Sequence, residues 1–381
     1  MESKLVGVAE CESYDYDTVR QAVWRAFRLA GITAETLGGK TVFIKANLVL
    51  KIAPERCATT HPSVVAAIAE FVRSAGGRAI IGDSPGGPLG NARIDSIYEV
   101  TGMKEAARIS NATLNKDFSE KDVFDASAAV LKQFTLLKAI CDADIVISAA
   151  KLKTHGLTGF TGAVKNMFGC VPGLTKAEYH YRMPDLDTFS QMLVDLCNYL
   201  RPHISVIDAV YGMEKDGPTA GTPKKLNAVI ASLNPHAADV AALKLIDCKP
   251  DTICTVKRAI ENGLIKEDFS DIEIVGDMEK LICKDFIMTQ IRNKGLRLLE
   301  KYIPKIMHSR VQNWLTSCPV FDKNICRGCR ICEQSCPPKA IAFEGKIPNV
   351  DLAACIRCYC CHELCPYQAV RIKRPWIKKL N

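Results

Sequence analysis

Eight cysteines near the end of this chain repeat one spacing twice, and no other feature narrows its fold as far. Cys326, Cys329, Cys332 and Cys336 precede Pro337, and Cys355, Cys358, Cys361 and Cys365 precede Pro366, so C-x2-C-x2-C-x3-C-P occurs two times in succession. Thiolates at such short intervals wrap three corners of a cubane cluster, while the fourth, turned away by the following proline, reaches a second cluster. The tail is expected to hold two 4Fe-4S clusters. A zinc site takes two separated C-x2-C pairs and four ligands, and a disulfide framework disagrees with the rest of the chain. Cys360 lies inside the second run but out of register with it, and reads as a buried small side chain.

The two runs resemble the bacterial two-cluster ferredoxin. The resemblance implies crossed ligation, with Cys326, Cys329, Cys332 and Cys365 on one cluster and Cys355, Cys358, Cys361 and Cys336 on the other. The remaining ten of the 18 cysteines follow no regular spacing. Free thiols beside iron-sulfur clusters point to a reducing compartment, so a cytoplasmic location in an oxygen-poor, anaerobic niche is expected. The beginning of the sequence, MESKLVGVAECESYDYD, carries acidic residues where a secretory signal needs a basic patch and an apolar run. No apolar stretch approaches a membrane span.

Charge is unevenly distributed, which changes what the formal +8 means. From Lys284 onward 18 Lys and Arg face 7 Asp and Glu, whereas the preceding part is slightly acidic, with 32 against 35. The basic excess belongs to the tail, where it balances cluster charge or steers an acidic external redox partner. Nucleic acid is not the expected partner, because the basic residues carry no recognition-module signature.

The chain is long enough, at 381 residues, for more than one domain. Residues 1–283 alternate β-rich and amphipathic runs, the pattern of an α/β domain with a largely parallel sheet. Strands are expected from Lys4, Thr41, Arg78, Asp144, Ile204 and Leu226. A helix is framed over His61–Ala75 by Pro62 at its start and Gly76 and Gly77 past its end. Residues 284–317 read as a basic helical connector, 318–373 as the ferredoxin-like α+β module with its two clusters, and 374–381 as a basic tail. The connector is amphipathic enough to pack on the main domain or to lie on a membrane surface.

The large domain concentrates polar residues after the strand DIVISAA. Lys151, Lys153, His155, Lys165, Lys176, His180 and Arg182 place seven cationic or potentially cationic groups between positions 151 and 182, interleaved with glycines. Glycines let backbone approach a ligand, and open α/β sheets gather function at the carboxyl ends of strands. A carboxylate- or phosphate-binding cleft is expected; the plainer alternative is a solvated charged loop.

These residues also carry a family likeness. K-x-K-T-H at Lys151, A-V-K-N-M-F-G at Ala163, I-K-A-N at Ile44, A-T-T-H-P at Ala58, V-I-D at Val206 and D-G-P at Asp216 resemble the domain-of-unknown-function 362 family, often fused to a two-cluster ferredoxin. The stretch His155, Lys165, His180 is also similar to the catalytic stretch of nickel-pincer lactate racemase. In that enzyme the matching lysine carries the pincer nucleotide, the second histidine ligates nickel, and histidines exchange the substrate proton. The likeness implies an anion-binding cleft with His155 and His180 as acid-base or ligand candidates, and admits an additional metal or pincer-type cofactor. The chain departs from it at Gly162 and Ala163, where the racemase-like loop has two glycines.

Lys45 and Asn47 end a strand, and Thr59, Thr60 and His61 open a helix whose free N–H groups suit an anion. Asp83 and Ser84 follow another strand end, and Asp208 ends ISVID; each reads as a ligand contact or as a turn-capping residue. Gly38-Gly39-Lys40-Thr41 precedes a strand instead of following one, and Asp83 to Gly90 lacks the dinucleotide spacing, so no ATP or NAD site is expected.

The reading is an iron-sulfur oxidoreductase. His155, Lys165, His180 and Lys153 would be its catalytic residues. Lys45, Asn47, Thr59, Thr60, Lys151, Asn166, Lys176, Asp83 and Asp208 would bind a small anionic substrate. A dedicated electron-transfer or cofactor-reactivation protein, and a pincer-dependent isomerase with an accessory redox domain, are the alternatives.

Overall fold

The computed structural model describes residues 4–289 and 317–373. Most of the expected connector, and the tail after Lys373, lie outside the described residues. In chain order the strands are β1 (Lys4–Glu10), β2 (Thr41–Ala46), β3 (Arg78–Gly82), β4 (Thr113–Leu114), β5 (Glu120–Phe124), β6 (Gln133–Leu137), β7 (Ile145–His155), β8 (Gly159–Thr161), β9 (Ile204–Glu214), β10 (Thr222–Ser232), β11 (Ile272–Gly276), β12 (Cys318–Phe321), β13 (Ile341–Glu344), β14 (Ile347–Val350) and β15 (Val370–Lys373). Nine of them form one mixed, mostly parallel sheet in the order β11, β1, β10, β9, β7, β2, β3, β4, with β8 attached to β7. Within it β10 runs antiparallel to both neighbours, whereas β9, β7, β2, β3 and β4 are mutually parallel.

Helices cover both faces, and this is why the strands read as nearly continuous apolar runs. Val206 and Ile207, adjacent in β9, point to opposite faces. Val206 joins the core beneath helices Tyr16–Leu29 and Pro62–Ser74, and Ile207 the core beneath Pro235–Leu245. Each such side chain, fully buried, stabilises the fold by about 1.5–3 kcal/mol. The helices begin where side chains satisfy their open N–H groups: Asp15 accepts from Thr18, Asp185 from Thr188, and Asn234 from His236 and Ala237. The helix framed by Pro62 spans Pro62–Ser74, with the His61 ring accepting from the Ser63 N–H.

β7 runs on past the expected strand. It continues through Lys151, Lys153 and His155, and all eleven of its residues are buried. The K-x-K-T-H stretch is interior strand, held between β8 and β9, and not a solvated loop. A register shift against β9 between Lys151 and Lys153 bends the strand, so the two lysines enter different surroundings.

The cysteine-rich unit is small and doubled. β12 pairs with β15 and β13 with β14, and the short helices Ile331–Gln334 and Cys360–Glu363 follow Arg330 and Tyr359, both with left-handed backbone (φ 58° and 63°). Ile341 and Val370 pack with Cys332 and Cys361 in its core.

Candidate active site

At the carboxyl ends of β2, β3 and β7 lies a cavity with about 730 Å³ of empty space, part of it open to solvent. That is where open α/β sheets place ligands. Of the sequence-derived candidates, Lys45, Asn47, Asp83, Lys153, His155, Lys165, Asn166, Lys176 and His180 line it. Thr59, Thr60, Lys151 and Asp208 do not.

One wall is a rack of buried polar groups. Lys45 Nζ pairs with Asp83 Oδ1 at 2.8 Å, the side chains 0% and 4% exposed, and also donates to Asn166 Oδ1 at 2.9 Å. Asp83 is fixed from its other side, accepting from the Leu48 N–H at 2.7 Å and the Ser84 N–H at 2.8 Å. Asn166 donates to Lys45 O and Ser148 Oγ, and Asn47 Oδ1 accepts from Lys153 Nζ at 2.7 Å. Gly169 makes this crowding feasible: a Cβ there would stand 2.2 Å from Lys45 Cε and 2.3 Å from Asp83 Oδ1.

The short helix Ala163–Asn166 aims Lys165 and Asn166, and a residue far along the chain sets it. Asp239, in the Pro235–Leu245 helix, accepts from the Ala163 and Val164 N–H groups, and burial pushes its carboxyl up to about 7. Gly162 leaves room for it, since a Cβ would come within 2.2 Å of Asp239 Oδ1. Lys165 itself differs from Lys45. Among the described residues its ammonium has no hydrogen-bond or ion-pair partner, only the Phe168 ring at 5.8 Å. Burial holds its pKa below the ordinary lysine value.

His155 is 1% exposed, and its Nδ1 accepts from the Leu157 N–H at 3.1 Å and the Thr158 N–H at 3.3 Å. A ring nitrogen that accepts two N–H groups carries no proton, so the neutral tautomer presents Nε2–H to the cavity. Burial accordingly lowers its pKa to about 4, with Lys165 adding to the effect. His180, stacked on Phe189 with ring centroids 4.2 Å apart, is lowered by burial to about 3. Both imidazoles are neutral near pH 7. Lys176, donating to the carbonyls of Ser84 and Val171, is brought by burial to about 7.

The opposite wall comes from the cysteine-rich unit, and sequence reasoning missed it. Cys360, Glu363 and Leu364 line the cavity. Glu363 Oε1 stands 2.9 Å from His155 Nε2, close but out of line, so that Nε2 keeps no satisfied hydrogen bond. Burial alone would raise the Glu363 carboxyl; His155, Lys165 and His180 together hold it well below the usual range. A comparison of the two runs would have singled these residues out. Cys360 and Glu363 stand where the first run has Ile331 and Gln334. The two units are also tied by Arg56 to Gln368 at 3.1 Å and by Gln368 to the Thr219 carbonyl at 3.0 Å.

Lys151 and Asp208 belong to a separate closed network. Lys151 Nζ is 3.0 Å from Asp208 Oδ2 and 2.6 Å from the Tyr14 hydroxyl, which in turn donates to Asp208 Oδ1 at 2.9 Å. Asp208 also accepts from the His61 N–H, and His61 stacks on Tyr14 at 3.6 Å. Thr60 is spent on Ala149 O and the Asn47 N–H.

The cysteines interleave between the two runs. The Cys332 thiol is pushed up to about 12 by burial, with Cys329, Cys365 and Cys326 around it, and Cys336 is raised by burial and by Cys358 and Cys355. The fourth cysteine of each run thus sits among thiols of the other. The Sγ atoms of Cys336 and Cys365 each accept a backbone N–H, from Ala340 at 3.3 Å and Ala369 at 3.2 Å. Thiols crowded in this way fit a multi-iron cluster, whose corners stand farther apart than ligands around one ion. Among the described residues no group of three or more His, Cys, Asp or Glu is gathered around a single-ion site.

Residues 42–244 match the family described as Domain of unknown function (DUF362), and residues 318–366 match the 4Fe-4S dicluster domain. A thylakoid-associated protein of Synechocystis sp. is 31% identical over 263 residues, which cover 68% of this chain and 80% of that protein. The solved lactate racemase apoprotein of Thermoanaerobacterium thermosaccharolyticum is similar at a TM-score of 0.38 and 13% identity. The likeness covers 60% of this chain and about half, 54%, of that one, and it bears on neither reaction nor cofactor. This chain belongs to the DUF362 family and carries an iron-sulfur-cluster-binding domain suited to electron transfer. Among the described residues no helix is long and apolar enough to cross a membrane.

Proposed function

We propose that this DUF362-family chain is an iron-sulfur oxidoreductase of a reducing, cytoplasmic compartment. Its cavity would bind a small anionic substrate beside the second of two 4Fe-4S clusters. The observation that carries the reading is the shared wall: Cys360, Glu363 and Leu364 line the cavity, and Cys358 and Cys361, expected cluster ligands, are their neighbours in sequence. Cys326, Cys329, Cys332 and Cys365 would hold one cluster, and Cys355, Cys358, Cys361 and Cys336 the other. When bound, the clusters supply one-electron transfer between an external redox partner and the substrate. The chain's own residues do the rest. Lys165 offers an ammonium with no hydrogen-bond or ion-pair partner among the described residues, and His155 a directed Nε2–H, to an anionic group. Lys153 and Lys45 are held by Asn47, Asn166 and Asp83, so the polar groups around the ligand are oriented before it arrives. Neutral His180 and Lys176, whose pKa lies near 7, are the groups placed to exchange a proton.

Protein purified without oxygen should contain about eight iron and eight sulfide per chain, four of each for every cubane. A small anion released on denaturation should be identifiable by mass spectrometry. With that anion, reduced protein should reoxidise quickly, whereas Lys165→Ala and His155→Ala should keep the cluster absorbance and lose the reaction. Wild-type rates in both variants would remove the cavity from the reaction. They would favour an electron carrier whose rate depends on ionic strength and on basic residues such as Arg371.

A further inference from the structure

The His155 end of the cavity already contains a carboxylate. Glu363 reaches it from the helix Cys360–Glu363, its side chain 17% exposed, and lies 2.9 Å from His155 Nε2. Three observations mark this carboxylate as an occupant and not a fixed part of the wall. Its contact with Nε2 lacks hydrogen-bond alignment, so a directed donor remains unsatisfied. Lys165 lines the same space, yet Glu363 does not come within ion-pair distance of it. The first cysteine run has Gln334 at the equivalent position, so the doubled framework does not require an acid there. The other cavity carboxylate, Asp83, behaves oppositely: it accepts two backbone N–H groups and pairs with Lys45.

We infer that Glu363 is the resident occupant of a carboxylate subsite, and that the cavity's ligand is a small carboxylate that displaces it. The inference rests on the reading of the cavity as an anion site and goes further by naming the anion's class and its internal competitor. A planar, singly charged group offered by the chain itself is the best template for what His155 Nε2 and Lys165 receive. A ligand carboxylate placed on the line that Glu363 misses would take the Nε2–H in a cavity that Lys165 also lines. Every ligand must compete with a carboxylate tethered to the cluster-bearing unit, and the tether gives that competitor a high effective concentration.

The test uses the full-length, cluster-loaded protein with malonate as the probe and inorganic phosphate as the second arm, titrated calorimetrically at low ionic strength. Glu363→Gln and Glu363→Ala should each bind malonate at least tenfold tighter than wild type, and Glu363→Asp, which keeps the charge on a shorter reach, should fall between. Adding Lys165→Met to Glu363→Gln should cancel the gain. Iron content and cluster absorbance establish that each variant is loaded. Weaker binding in the Gln and Ala variants would overturn the inference by making Glu363 a positioning partner of His155. Unchanged affinity, or tighter binding of phosphate than of malonate, would overturn it too. If Lys165→Ala still slows reoxidation while the Glu363 variants leave affinity unchanged, only this inference falls. If neither anion binds any variant and Lys165→Ala reoxidises normally, the anion-site reading falls with it.

Discussion

Replacing Lys165 by Met should separate what the cavity does for stability from what it does for binding. The substitution removes an ammonium but keeps most of the side chain's volume. Lys165 has no hydrogen-bond or ion-pair partner among the described residues, and burial already disfavours its charged form. Among the described residues no hydrogen bond or ion pair is broken, and the relief of a buried charge is offset by the loss of one of the groups that hold Glu363 charged, so stability should change by no more than about 1 kcal/mol. A ligand carboxylate would lose a charge-assisted hydrogen bond of about 1.5–3 kcal/mol, weakening its binding by roughly 10- to 150-fold. Lys45→Met is the control. It strips the cation from Asp83, which is 3% exposed, and breaking one side of a buried pair costs about 3–5 kcal/mol. Thermal melts and calorimetric malonate titrations of the loaded variants would read both quantities. If Lys165→Met melts as early as Lys45→Met and binds malonate like wild type, Lys165 is a structural residue and the reasoning fails.

Two more predictions follow from neighbouring groups. Lys176 titrates near 7 in the folded chain against an ordinary 10.5. Anion affinity should therefore fall as pH rises through 7, while fold stability rises between about 7 and 10.5, where the unfolded chain still binds the proton; Lys176→Met should flatten both curves. A Cβ at Gly86 would stand 2.5 Å from Leu364 Cδ2, so Gly86→Ala should loosen the cluster unit from the large one, read as faster amide exchange along Cys360–Glu363. Leu364→Ala should restore protection, and unchanged exchange in Gly86→Ala would mean the contact does not hold the helix.

Periodicity made much of the large sheet legible, because parallel strands covered on both faces are long apolar runs. It did not reveal how far β7 extends. Lys151, Lys153 and His155 read as polar, and only their partners in β8, β9 and the rack of Asn47 and Asn166 keep them inside. The cationic residues were visible as a cluster, but their division was not. Lys151 and Lys153, two positions apart, part company at a register shift that pairing across strands creates. Asp239, Tyr14 and Glu363 were missed for one reason: each acts on residues far away in sequence. Asp239 caps a helix through the Ala163 N–H, Tyr14 closes on Asp208, and Glu363 meets His155. Cysteine spacing, by contrast, depends on local reach and was readable directly.

The shared wall ties the ligand site to metal supply. Cys360, Glu363 and Leu364 complete the cavity from the unit whose cysteines would hold the clusters, so on the proposed reading a chain without its iron would offer Lys165, His155 and His180 a less firmly held wall. On that reading, ligand capture would wait on cofactor insertion. The stock of competent ligand sites would then follow the stock of completed clusters without a separate regulator.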